Sequence, residues 1–168
     1  MGATTVFAAL AMFATAAVSL ASAAPSNDAC ALVTQDQVSA AVGASVGAGT
    51  HVTPTYVKTC TWTPSSASKD LSSVTISYWD AGSYDAGKRV MQQAQAAVAA
   101  KEESAKMTDE SANGIGDDAY YTTMGTGYTG LMLKKGNVAL KIAIYGDMPA
   151  DKKKAVEKTL ALQALSKL

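Results

Sequence analysis

The chain has 168 residues, with 14 basic and 14 acidic side chains, so its formal net charge is zero. A neutral chain has no electrostatic attraction to nucleic acid or to an anionic membrane, and we exclude both as partners on this ground. One His and two Cys also leave few ligands for a metal centre, so we expect neither a metal nor another cofactor.

The chain opens with a segment typical of an export signal. Residues 6–20 are apolar and uncharged, which suits the core of a signal peptide and falls short of the roughly twenty residues that a membrane-spanning helix needs. Residues 21–23 (ASA) have the small-x-small pattern of a cleavage site. We predict a signal peptide over residues 1–23 and a single secreted or periplasmic domain over residues 24–168, without a stable membrane anchor.

The two cysteines, Cys30 and Cys60, are predicted to form a disulfide, since export takes them to an oxidising compartment. Closing a loop of this length would stabilise the fold by about 3–4 kcal/mol. A redox-active pair is the alternative, but the spacing is not Cys-x-x-Cys. The residues that precede Cys30 (NDA) are wrong for acylation, which argues against a lipid anchor.

The first predicted helix of the mature domain covers residues 35–42. Thr34 can cap its start and Gln37 can complete a capping box. Gly43 can end the helix in the left-handed conformation.

A β-rich segment follows. Residues 50–63 predict one or two strands interrupted near Pro54, and residues 73–79 alternate as a half-buried strand does. Because a polar turn separates them, we expect a hairpin between residues 56–63 and 72–79.

The longest predicted helix covers residues 84–103, with Ser83 as its cap. Its expected buried stripe has spacings of three and four residues. The stripe consists of Tyr84, Gly87, Met91, Ala94 and Val98.

After a predicted loop over residues 104–116, three strands are expected, joined by tight turns at residues 125–127 and 135–137. They cover residues 118–124, 128–134 and 138–145. A closing helix is predicted over residues 149–166, with Val156, Thr159, Leu160, Leu162 and Leu165 on its buried side. The order of elements predicts an α+β fold with an antiparallel sheet of five to six strands and helices packed on it.

Two stretches resemble a family of exported bacterial domains of unknown function, many of them actinobacterial lipoproteins. The first comprises residues 30–34 (CALVT), Val38, Gly43 and residues 60–62 (CTW). The second is residues 114–120 (GIGDDAY). The resemblance implies a PsbP-like α/β/α sandwich with a binding or accessory role. It identifies no catalytic residues in this chain. Unlike the lipoprotein members, this chain lacks an acylated Cys.

Several aromatic residues are candidates for contact with a ligand. About half of the strand aromatics should lie in the core, and the others could form the floor of a groove that binds a sugar, peptide or lipid. Cross-strand pairs within a covered sheet are the competing interpretation. The candidates are Trp62, Trp79, Tyr120, Tyr121 and Tyr128.

The sequence offers little catalytic chemistry. His51 lies in a Gly/Thr-rich segment without a Gly-x-Ser-x-Gly motif, and we expect it to be a solvated loop residue. Asp117 and Asp118 are a weak candidate calcium pair, because neighbouring strand residues point to opposite faces. We expect one of them to cap the turn over residues 113–116. Residues 152–154 (KKK) are expected on the solvated side of the last helix.

These observations favour an exported, non-catalytic binding or accessory domain whose partner is another exported protein or a small apolar ligand. Two alternatives stay open. One is a carrier of a small apolar ligand, held between the Ala-rich helix 84–103 and the sheet. The other is an exported hydrolase with an unrecognised site.

Overall fold

The structure is a computed structural model that describes residues 27–98 and 108–168. The predicted signal peptide lies outside the described residues. The strands are β1 (Thr50–His51), β2 (Thr59–Trp62), β3 (Ser73–Asp80), β4 (Thr108–Ser111), β5 (Asp118–Met124), β6 (Tyr128–Lys135) and β7 (Val138–Tyr145). The helices are α1 (Gln35–Val42), α2 (Ala81–Val98) and α3 (Ala150–Leu165), and a short 3-10 turn covers Ala29–Ala31.

The predicted α+β fold is confirmed. All seven strands form one antiparallel sheet in the order β1-β2-β3-β7-β6-β5-β4, and the three helices pack on it. The hairpin of β2 and β3 and the meander β5-β6-β7 occur as predicted. The sheet has one strand more than expected, because β4 pairs with β5 in a segment predicted as a loop. The Cys30–Cys60 disulfide is also present.

Helix α1 has the boundaries and caps that its sequence predicts. The Thr34 hydroxyl accepts a hydrogen bond from Gln37 N, and the Gln37 side chain accepts one from Thr34 N, which completes the capping box. Gly43 ends the helix at φ 70°, a conformation that glycine adopts without a steric penalty.

The main core lies between one face of the sheet and helices α1 and α3, and we call this the core face. Alternate residues of each strand point into it. Its fully buried strand residues include Val74, Ile76, Leu131, Leu133, Leu140, Ile142 and Ile144. The 3-10 turn joins the same core through Ala29.

Helix α3 buries a different set of side chains from the one predicted. Val156 and Leu160 are buried, but Thr159 and Leu162 are exposed, and Lys153 and Glu157 are fully buried. The expectation that residues 152–154 are solvated is therefore wrong for Lys153. Its stem packs against the core while its ammonium donates to the carbonyl of Thr126 over 2.6 Å.

Helix α2 lies on the opposite face of the sheet. It begins at Ala81, earlier than predicted, because the Asp80 carboxylate accepts hydrogen bonds from Ser83 N and Oγ, each over 2.7 Å. Those hydrogen bonds lower the pKa of Asp80.

The predicted buried stripe of α2 is mostly not buried. Among the side chains described between residues 81 and 96, Tyr84 alone is buried. Met91 is half-buried and Ala94 is exposed. Residues 99–103 and the Val98 side chain lie outside the description.

Candidate functional site

The sheet face opposite the core carries the most developed surface, and we call the part of it that α2 leaves uncovered the open face. A row of small side chains crosses five neighbouring strands at its centre. In register order this row consists of Thr61, Thr75, Ala143, Gly130 and Thr122. Ala143, Gly130 and Thr122 are buried, and the Tyr128 hydroxyl lies over Gly130, so the row is accessible mainly at Thr61 and Thr75.

One side of this row is aromatic. Tyr128 and Tyr145 are cross-strand partners, and their ring centroids lie 5.2 Å apart at an interplanar angle of 53°. The Lys141 ammonium lies 5.5 Å from the centre of the Tyr128 ring, within cation–π range. Tyr145 is 37% exposed. This pair therefore offers an aromatic surface that a ligand can reach.

The other side of the row carries hydroxyl groups and ends at a tryptophan. The Thr59 hydroxyl donates to the Ser77 hydroxyl over 2.9 Å, and Lys141 is the cross-strand partner of Ser77. Trp79, the next residue of β3 on this face, is 39% exposed. Trp79 is six residues from Ser73, the partner of Tyr145, so about 20 Å separates the two exposed aromatics.

Helix α2 closes the end of the face beyond Tyr120. Tyr84 is fully buried there, with its ring 5.6 Å from that of Tyr120, and burial raises the pKa of Tyr84 well above its ordinary value. Two ion pairs fix the helix, Lys88 to Asp118 over 2.6 Å and Lys134 to Asp85 over 2.7 Å.

The net pKa of Asp118 is lowered. Burial acts to raise it, but the hydrogen bond from Lys88 and the positive charges of Lys88 and Lys134 outweigh burial. Asp118 is therefore held as a carboxylate beneath α2.

The five candidate aromatics divide between the two faces. Trp62 and Tyr121 are buried in the main core, where the Tyr121 hydroxyl donates to the carbonyl of Lys154, and Tyr120 is buried under α2. Tyr128 is half-buried on the open face and Trp79 is exposed there. Tyr145, one of the strand aromatics but not one of the five candidates, and Lys141, which the sequence interpretation did not name, complete the surface. The alternation of side chains in β7 places both on the face opposite to that of Ile142 and Ile144, and this alternation was the sequence signal that could have identified them.

Asp117 and Asp118 have separate partners. Asp117 accepts a hydrogen bond from Gly136 N over 2.7 Å, whereas Asp118 pairs with Lys88. The cap predicted for the turn over residues 113–116 is therefore wrong, because Asp117 binds the turn between β6 and β7 instead. Because Asp117 and Asp118 bind different partners, their carboxylates do not form a shared cation site.

His51 is not the solvated loop residue that its sequence context predicts. It lies in β1, and its Nε2 is 2.8 Å from Oδ1 of Asp28. Among the described residues, Asp28 provides the one side-chain hydrogen bond to His51 that the structure shows. That hydrogen bond lowers the pKa of Asp28. The pair lies beside the disulfide, since the ligand atoms of Asp28, Cys30 and His51 all lie within 4.8 Å of one another.

A groove of about 480 Å³ lies between α1 and the start of α3. Its walls are largely small and apolar, and Ser68, Asp70 and Lys152 supply its polar groups. It is distinct from the cavity predicted beneath helix 84–103, because it opens on the side of the molecule that carries the main core.

Comparisons with protein-family models, with curated proteins and with solved structures found no match. Within residues 27–98 and 108–168, no helix has both the length and the apolar character needed to cross a membrane.

Proposed function

We propose that this protein is an exported, non-catalytic binding domain and that the open face binds a carbohydrate chain. The observation that carries the proposal is the combination of two exposed aromatics, Trp79 and Tyr145, with the hydroxyl-lined surface between them. The disulfide supports a non-cytoplasmic location.

The chemistry of sugars matches this surface in two ways. A sugar ring has an apolar C–H face that packs on an aromatic side chain, and its hydroxyls pair with groups that both donate and accept hydrogen bonds. Threonine and serine hydroxyls provide such groups along β2 and β3, and Lys141 adds a donor. The separation of about 20 Å between the aromatics suits several linked rings better than a single sugar.

The formal charge of the chain also favours a neutral ligand over a polyanion. Within residues 27–98 and 108–168, this face shows no catalytic constellation, and an extended aromatic and hydroxyl surface is suited to holding a chain. These points support binding as the role of the face.

Sedimentation with insoluble polysaccharides tests the proposal. We expect the exported form of the protein to be retained on at least one of peptidoglycan, chitin and cellulose. Trp79→Ala and Tyr145→Ala should each weaken retention about fivefold, since stacking contacts contribute about 1 kcal/mol each. Leu162→Ala is the matched control, because Leu162 is an exposed apolar residue on α3, away from the open face.

Two results would overturn the proposal. One is that no polysaccharide retains the wild-type protein. The other is that Trp79→Ala and Tyr145→Ala are retained as well as Leu162→Ala. Capture of an exported protein through the same two aromatics, with no competition from sugar, would reject the carbohydrate ligand and favour a protein partner.

The groove between α1 and α3 favours a second candidate, a carrier of a small apolar ligand. Its size is within the range of small-molecule sites, and its apolar walls with a few polar groups have the usual composition. Mass spectrometry of an organic extract of the protein distinguishes the two. A stoichiometric apolar molecule that Ala41→Trp excludes would favour the carrier over carbohydrate binding.

A further inference from the structure

Four side chains with metal-binding atoms converge at the N-terminal end of the described chain. Asp28 accepts a hydrogen bond from Cys30 N over 2.8 Å, and its carboxylate also contacts His51. His51 is the cross-strand partner of Cys60, and the sulfur of Cys60 is bonded to that of Cys30. The ligand atoms of Asp28, His51 and Cys30 therefore lie within 4.8 Å of one another, and the sulfur of Cys60 adjoins them through its bond to Cys30.

The local fold holds this cluster from two sides. Ala29 N donates to the carbonyl of Val57 over 2.9 Å, which ties the segment that carries Asp28 and Cys30 to the loop before β2. On the other side the backbone of Gly49 passes directly over Cys60. A Cβ at residue 49 would lie 2.6 Å from Sγ of Cys60, so only glycine allows this approach.

The cluster is closed toward the core and open toward solvent. Cys60 is fully buried, whereas the side chains of Asp28 and His51 are 37% and 25% exposed. Because Cys30 is also partly exposed, an ion can approach the cluster from the side of Asp28, His51 and Cys30.

We propose that reduction of the disulfide converts this cluster into a zinc site in which Cys30, Cys60, His51 and Asp28 are the four ligands. A dithiol supplies two electrons and two protons. The bond between the two sulfurs breaks, two thiols form, and the dithiol becomes a disulfide. Binding of Zn²⁺ then releases the two thiol protons, because thiolates are the ligands.

Zinc is the metal that this donor set fits best. It accepts sulfur, nitrogen and carboxylate oxygen, and it favours four ligands in tetrahedral geometry. A set containing two thiolates is too soft for Mg²⁺ or Ca²⁺. The disulfide and the zinc ion would connect the same two segments, the 3-10 turn and β2. The protein would therefore have one cross-link under oxidising conditions and another under reducing conditions.

Titration with Co²⁺, a spectroscopic substitute for Zn²⁺, tests the proposal on protein reduced with a phosphine, which leaves no competing thiol. We expect sulfur-to-cobalt charge-transfer absorption and tetrahedral d–d bands that saturate at one Co²⁺ per chain and disappear on addition of Zn²⁺. His51→Ala and Asp28→Ala should weaken binding by at least about tenfold, since even outer-shell changes cost about 10–100-fold. Asp36→Ala is the matched control, because Asp36 is an exposed carboxylate on α1.

Circular dichroism on the same samples separates a site in the fold from binding to an unfolded chain. If the reduced chain is unfolded without metal, Zn²⁺ should restore the native spectrum. The oxidised protein should show no charge-transfer band. The proposal fails if the reduced wild-type protein gives no such band, if Zn²⁺ does not support the folded state, or if His51→Ala and Asp28→Ala bind as tightly as Asp36→Ala.

Discussion

The two faces of the sheet differ most along β3 and at the exposed positions of β7, whereas β5 and β6 bury residues on both faces. Leu140, Ile142 and Ile144 are fully buried on the core face, while Lys141 and Tyr145 on the other face are half-buried and exposed. Helix α3 covers the first face with a row of buried residues, whereas α2 buries Tyr84 alone among its described side chains. The core face therefore contributes most of the buried apolar surface, and the accessible part of the other face, along β3 and β7, carries polar and aromatic groups.

The largest expected effect is the loss of a core-face side chain. Ile142→Ala should reduce the free energy of unfolding by about 2–5 kcal/mol, because the residue is fully buried and its removal leaves a cavity. The neighbouring residue, Lys141, has its side chain on the open face, so Lys141→Ala should change the free energy of unfolding by less than about 1 kcal/mol. Urea denaturation of both variants measures the difference. Equal losses would show that the open face also supports the fold.

The sequence predicted the elements better than the surfaces they bury. Alternation in the strands and the capping box of α1 depend on local chemistry, so β5, β7 and α1 lie where they were expected. Burial on the helices depends on which strand lies beneath them. Helix α3 buries Lys153 because its ammonium reaches the carbonyl of Thr126. That carbonyl is distant in sequence, so the pattern of residues within the helix does not predict the burial.

The candidate site was predictable in part for the same reason. Trp79 and Tyr128 were named from the strand pattern, but the same pattern also named Trp62 and Tyr121, which are buried in the core. The contact of His51 with Asp28 joins residues far apart in sequence, and the packing of the 3-10 turn against β2 and β3 brings them together.

The core face contains one ionisable group that should make its stability depend on pH. Glu157 is fully buried, neither carboxyl oxygen has a hydrogen-bond partner among the described residues, and burial raises its pKa to about 9 from an ordinary value of 4.5. The backbone of Ile144 and the ammonium of Lys153 oppose this shift but do not cancel it.

The sign of the pH effect follows from where the proton is held. Between pH 4.5 and about 9 the folded state keeps a proton that the unfolded state has lost, so stability decreases as the pH rises. The slope attributable to Glu157 should reach at most about 1.4 kcal/mol per pH unit. The contribution is fully present below pH 4.5 and is lost as the pH rises through about 9.

Glu157→Gln isolates this effect, because the amide keeps the shape of the side chain and does not ionise. The variant should be more stable than the wild-type protein at pH 8 and should lose most of the pH slope in this window, as measured by urea denaturation at pH 5 and pH 8. Glu110→Gln is the control, because Glu110 is an exposed carboxylate paired with Lys154, and it should keep the wild-type slope. An unchanged slope in Glu157→Gln would show that the carboxyl is hydrated in solution.

The smallest expected effect concerns the attachment of α2 beside the open face. The Asp85–Lys134 ion pair is partly exposed, with 45% of the Asp85 side chain accessible, so its coupling should be about 0.2–1 kcal/mol and should decrease as salt is added. A double-mutant cycle of Asp85→Asn and Lys134→Met, measured by thermal unfolding at low and high salt, gives this coupling. A value above about 2 kcal/mol that is insensitive to salt would mean that the pair is desolvated under α2. In that case the α2 side would carry a buried polar anchor of its own, and the contrast between a stabilising face and a binding face would have to be confined to the strands that α2 leaves uncovered.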